Sequence, residues 1–333
     1  MMLRAVVVIL TLVQVVQSEL LFEQGFLKFV RHGKRQIYTN VEHIDEKLIG
    51  KNRHLLIVRA KWMEVVHARA VRNVRSLREL FMAKCGILTI EPEAFFNLPN
   101  LTVLHLEDNA IQEVKTGVFN TLNVKILTLH RNEIKRIESG AFDQMPNLYK
   151  IKLNSNRLKK WDSNWFKNCP QLTEVFLRRN KINYLPSEAF KNLQSPELKI
   201  FLSKNKLGAL NPESFHNLVA LSQLYLDRNN LSLIPVNAFR DLQTIDVLYL
   251  ARNKIEEVKL GALPKIAQIG ILDLSSNLLN CLDYGLVVKA NVTNLEKNPG
   301  ACECIKNLTV KLEQEMKEQE VQFDEDTCPD LVK

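Results

Sequence analysis

The side chains able to hydrolyse, transfer or ligate are scattered along the chain. Seven histidines, at 32, 43, 54, 67, 105, 130 and 216, form no His-Glu-x-x-His pair, the spacing that sets two imidazoles on one helical face for zinc. There is no Gly-x-Ser-x-Gly elbow and no Gly-rich phosphate loop. His105 and His130, even with Glu107, supply fewer ligands than a metal site requires. No catalytic residue, metal or cofactor is therefore expected. A different chemistry recurs instead. Phe176, Phe201, Tyr225 and Tyr249 follow one another at steps of 25, 24 and 24 residues, and three residues after each stand Arg179, Lys204, Arg228 and Arg252. Aromatic rings beside arginine are the usual ingredients of a binding hot spot, suited to a partner surface that is acidic with an apolar centre.

Those residues are useful only if a repeating element aligns them. The stretch Leu101 to Ile111 has apolar residues at 101, 104, 106 and 111, and an asparagine at 109. That asparagine recurs at 132, 156, 180, 205, 229, 253 and 277, with Cys85 one period earlier. Ten residues after it comes a second column of Phe95, Phe119, Phe142, Phe166, Phe190, Phe215 and Phe239, closed by Leu263. In each Leu-x-Leu the two leucines point to one face of a short strand. The residue between them points to the other face, which lines up Phe176, Phe201, Tyr225 and Tyr249 as one exposed column. In the column just before the asparagine, seven of ten residues are basic, although Lys and Arg are only 45 of 333 overall. Both columns also have plain structural readings. The rings can stack to stiffen the sheet, and long basic side chains can cover the strand–loop edge.

The pattern L-x-x-L-x-L-x-x-N-x-L resembles the leucine-rich repeat family in its 24-residue extracellular form. The resemblance spans about residues 53 to 300 in about ten units. It implies an α/β leucine-rich-repeat solenoid, a horseshoe with a parallel sheet on its concave face and a disulfide-bonded C-terminal cap. One turn cannot bury its own apolar face, so stacked turns must share a core. The buried amide of each asparagine satisfies backbone groups where the strand turns away. Cys85 lacks that amide, so its turn should be less well satisfied. The arrangement is similar to Toll- and Slit-type ectodomains and to secreted leucine-rich proteins of insect immunity, without the coiled-coil tail of the latter.

The remaining segments fix the expected organisation and compartment. Residues 1–18 read as a cleaved secretory leader, a basic start followed by an apolar run too short to span a bilayer. Residues 19–52 contain no cysteine and form a non-covalent N-terminal cap, with Ile37 to Val41 as an edge strand. Residues 301–333 form the C-terminal cap, with a helix over 306–321. The resemblance implies Cys302–Cys328 and hence Cys281–Cys304. Yet Cys281 and Cys302 each lie four residues after an asparagine, and stacking would bring them about 5 Å apart, so both pairings stay open. Cys85 and Cys169 read as small buried hydrophobes. Sequons at Asn100, Asn230, Asn291 and Asn307 permit glycosylation in a secreted glycoprotein. The net charge of +8 is compatible with acidic partners without selecting one. The expected product is secreted and extracellular, probing a protein ligand as a monomer through the concave face, in innate immunity or cell-surface signalling. The alternative is an extracellular-matrix or adhesion component that holds sulfated glycan through the basic column. Neither nucleic acid nor a membrane span is expected.

Overall fold

In the computed structural model the described residues are 27–31, 34–38, 43–50, 54–56, 64–315 and 317–323. Residues 1–18, expected to be a leader, and Cys328 lie outside them. The chain divides into two compact units, Met1–Ile151 and Lys152–Lys333.

Both units are built from leucine-rich-repeat turns whose strands pair in parallel with their sequence neighbours. In the first unit, Leu55, Leu80, Leu104 and Leu127 are successive Cα partners. In the second, Val175, Ile200, Leu224, Leu248 and Leu272 align in the same way. This is the shared register that a 24-residue period demands. The inward column is dry: Leu80, Leu104, Leu127, Val175, Ile200 and Leu224 have no exposed surface. The phenylalanine column fills the opposite wall. Phe190, Phe215 and Phe239 are 1% exposed or less, and their rings follow at 5.1 and 4.8 Å. Connecting segments run mostly as turns, with two-residue strands such as Leu233–Ile234 and Glu257–Val258 pairing on the return side.

The asparagines tie each turn to the one before. Asn205 donates to Leu177 O at 3.0 Å and to Leu202 O at 2.9 Å, and accepts from Ile182 N at 3.0 Å. A buried backbone group left unpaired costs about 1–3 kcal/mol, which explains why an amide recurs where the chain turns. At Cys85 the deficit is partly met from the next turn, because Asn109 donates to Met82 O at 2.8 Å and accepts from Cys85 N at 2.8 Å. Cys85 and Cys169 are in no disulfide and are buried, 1% and 3% exposed.

The ends depart from the sequence expectation in detail. The N-terminal strand is Lys34–Tyr38, and it pairs antiparallel with Leu27–Arg31; residues 39–42 lie outside the described set. The C-terminal helix is Ala301–Gln314, earlier than 306–321, and Glu320–Gln322 then pairs in parallel with Ala290–Asn294. Cys281 is bonded to Cys304, which excludes the Cys281–Cys302 pairing. The reason is helical: residues two apart on a helix face different directions, so Cys304 turns to the core and Cys302 does not. Cys302 is also oxidised. No described helix is long and apolar enough to cross a membrane.

Candidate functional site

The aromatic column lies within the second unit and faces solvent. Phe176, Phe201, Tyr225 and Tyr249 are successive Cα partners on adjacent strands. They are half-buried, whereas the residues on either side of them in the strand are fully buried. Their rings stack in one row, with centroids 4.3, 4.7 and 4.7 Å apart and interplanar angles of 3, 19 and 25°. The strands set this spacing, since neighbouring strands lie about 4.8 Å apart. Stacking and exposure thus coexist: the rings brace one another and still present a continuous apolar strip. Tyr225 donates from its hydroxyl to Gln223 Oε1 at 3.2 Å. Burial, then the neighbouring Tyr249 and Asp227, raises its pKa above the ordinary phenol value.

The basic column is positioned by an unusual backbone. Arg179, Lys204, Arg228 and Arg252 have φ of 58, 56, 55 and 55°, in the left-handed region. Their N–H groups donate to the following turn, for example Lys204 to Asp227 O at 2.9 Å and Arg252 to Ser275 O at 2.8 Å. A left-handed residue at the strand end swings its side chain off the alternating register. Arg228 and Arg252 still line a groove of about 660 Å³ with the four aromatics, whereas Arg179 and Lys204 lie outside its lining. The pKa of Lys204 is lowered, first by loss of hydration and then by repulsion from Arg228, Arg179 and Arg178.

The groove also contains residues that sequence reading missed. Arg178, Ser203, Asp227 and Ser275 stand two residues before an asparagine, while Asp273, which the repeat period itself places after Tyr249, continues the aromatic column. Strand alternation points all of them to the face of the rings. That position could have been counted from the repeat, but its residue types do not recur and so gave no signal. The lining is therefore of mixed charge, with Asp227 and Asp273 among the arginines.

In the first unit the same column carries Phe81, His105 and Thr128. Phe81 and His105 stack at 4.3 Å and 4°. His105 Nε2 lies 3.1 Å from Glu79 Oε1 and its Nδ1 lies 3.5 Å from Glu107 Oε1, and Thr128 donates to Glu107 through a short hydrogen bond. No group of three metal-ligating side chains with binding geometry occurs among the described residues. The sequon asparagines Asn100, Asn230, Asn291 and Asn307 are all exposed.

Comparison with known proteins agrees with this architecture. Residues 66–197 match the model described as BspA type leucine rich repeat region, in six copies, and residues 170–231 and 221–279 match the leucine rich repeat model. No curated protein sequence matches the chain significantly. Among solved structures, a leucine-rich repeat protein of Leptospira interrogans aligns with TM-score 0.59 at 22% identity, over 75% of this chain and 61% of that one. A complex of latrophilin 3, Unc5D and the leucine-rich repeats of FLRT2 gives TM-score 0.54 at 20% identity, over 74% of this chain and 84% of the matched chain. The TLR13–ssRNA13 complex gives 0.56 at 18% identity, over 86% of this chain and 52% of the matched chain. At these identities the likeness is one of fold. The chain spans less than two thirds of the Leptospira and TLR13 chains.

Proposed function

The chain belongs to the leucine-rich repeat proteins, generally protein-binding scaffolds and usually non-catalytic, and from that premise we propose that it is a secreted recognition protein that engages a protein ligand through the ring-bearing face of its second unit. One observation carries this reading: four stacked aromatics on the solvent side of the sheet, flanking a groove that also holds Arg178, Arg228 and Arg252. Rings of this size are normally buried, and rings left at a surface beside arginine are enriched where partners dock. The leader-like residues 1–18 and the Cys281–Cys304 disulfide support an oxidising, extracellular destination. Extracellular recognition in innate immunity or cell-surface signalling is the setting this reading fits; FLRT2, a structural neighbour, occurs in a complex with latrophilin 3 and Unc5D.

The second reading is attachment of sulfated glycan to the basic column. It is favoured by the crowding of Lys204 with Arg228, Arg179 and Arg178, whose repulsion adds to the loss of hydration that chiefly lowers its pKa. The two readings separate by salt. Polyanion attachment collapses at moderate ionic strength, while an aromatic-anchored protein contact largely persists.

The test is capture from extracellular fluid at two salt concentrations, by the native protein and by the Tyr225→Ala/Tyr249→Ala variant. The rings lie outside the core, so the variant should be secreted and melt close to the native protein. It should lose about tenfold or more in partner affinity, as truncated hot-spot residues do. Equal capture by both proteins would discard the proposal.

A further inference from the structure

The row of stacked rings ends at Tyr249, and the residue that follows it in the column is an acid. Asp273 is the Cα partner of Tyr249 on the next strand. One face of Tyr249 is covered by Tyr225 at 4.7 Å. No other ring and no cation stacks on Tyr249 among the described residues. The carboxylate of Asp273 accepts a single hydrogen bond, from Ser275 N at 2.9 Å, and forms no ion pair among the described residues. Both residues line the groove described above. The other face of the Tyr249 ring, on which no ring or cation stacks among the described residues, therefore looks towards a carboxylate with spare acceptor capacity.

Resting on the reading that this groove takes a protein partner, we propose that its Tyr249–Asp273 end is a subsite for an arginine side chain of that partner. A guanidinium is flat and weakly hydrated, so it can lie on a phenol face while its edge donates to a carboxylate. An ammonium is compact and strongly hydrated and cannot do both at once. Arg252, the cation of the same groove that ends the Tyr249 strand, is exposed and sits at a left-handed backbone position. It forms no ion pair with Asp273, so the acid is not already neutralised from within. At the other end of the ring row, Arg178 also has no ion pair among the described residues and is free to take a carboxylate. Four strand spacings separate the strand of Arg178 from that of Asp273, about 19 Å, or about six residues of extended chain. The partner segment thus carries an arginine and an acid about six residues apart, bridged by an apolar stretch over the rings.

The test is selection of a random peptide library on the native protein. One enriched peptide and its Arg→Gln and Arg→Lys forms are then titrated against the native protein and the Asp273→Asn variant. Asp273→Asn keeps an oxygen for Ser275 N, so the local turn survives. Enriched peptides are expected to contain arginine. Replacing it by Gln or Lys should weaken binding about tenfold on the native protein and hardly at all on Asp273→Asn, the pattern of a coupled charge pair. The subsite is wrong if arginine is not enriched, if Lys serves as well, or if the arginine preference survives in Asp273→Asn. In those cases, peptides that still require Tyr225 and Tyr249 leave the broader reading standing. Peptides indifferent to the Tyr225→Ala/Tyr249→Ala variant overturn both.

Discussion

His105 sits between Glu79 and Glu107, and this makes part of the first unit's stability depend on pH. Burial disfavours its charge, but hydrogen bonds to Glu107 and Glu79 more than offset that and raise its pKa above 6.5. Burial likewise works against the charge of Glu107, yet its bonds to His105 and Thr128 bring its pKa down to about 2 from 4.5. The histidine's contribution is complete below 6.5 and is lost as pH rises through its higher native value. The glutamate's contribution is complete above 4.5 and is lost as pH falls towards 2. Between those limits both are present. There Glu107→Gln should cost about 1–3 kcal/mol in denaturant unfolding, the worth of charged hydrogen bonds, and should lower the His105 titration midpoint seen by NMR. An unchanged midpoint would mean that Glu107 does not hold His105 charged. At this scale the sequence was legible where a residue type recurs for a physical need, as with the asparagines. It was silent on the left-handed backbone of Arg179, Lys204, Arg228 and Arg252, because glycine and asparagine, the residues that usually advertise positive φ, do not stand there.

Strands were easier to read than caps. Within the repeat every strand answers to the same two-residue alternation, so Glu174–Phe176 and Lys199–Phe201 follow from the leucine register alone. At the C-terminal end local propensity and tertiary need compete. The Glu-, Gln- and Lys-rich stretch favours helix throughout, yet the last edge of the sheet needs a partner. Glu320–Gln322 is taken as a strand against Ala290–Asn294, while helix begins at Ala301, right after Gly300. The helix is held by Ile305, Leu308 and Leu312, each 5% exposed or less, and by the Cys281–Cys304 bond, which closes a separation of 23 residues. Replacing both of these cysteines by serine should destabilise the protein by about 2–4 kcal/mol. The loss should concentrate at the cap, where hydrogen exchange in Ala301–Gln314 should rise before that of the strands. Uniform acceleration across the second unit would show that the bond supports the whole unit rather than its end.

A stacked repeat also predicts how the molecule tolerates being shortened, because each turn contacts only its neighbours and the phase of the period is what matters. Removing 227–250 from the second unit joins Leu226 to Ala251 and puts Asn253 where Asn229 stood, so the leucine and asparagine columns remain in register. Removing 227–238 instead brings Phe239 and its flanking turn into the place of a strand end and breaks both columns. The full-period deletion should therefore fold and unfold cooperatively with lower stability, while the half-period deletion should accumulate as misfolded chain. The two shortened proteins separate the effect of length from that of phase. The full-period deletion also shortens the ring row to Phe176, Phe201 and Tyr225, and makes Tyr225 the new neighbour of Asp273. Affinity for an arginine-bearing peptide should then fall between that of the native protein and that of Tyr225→Ala/Tyr249→Ala. Its preference for arginine over lysine should persist, because an end ring beside an acid is restored. Loss of that preference in a protein that still folds would show that Tyr249 contributes something specific to its own turn rather than its place at the end of the row.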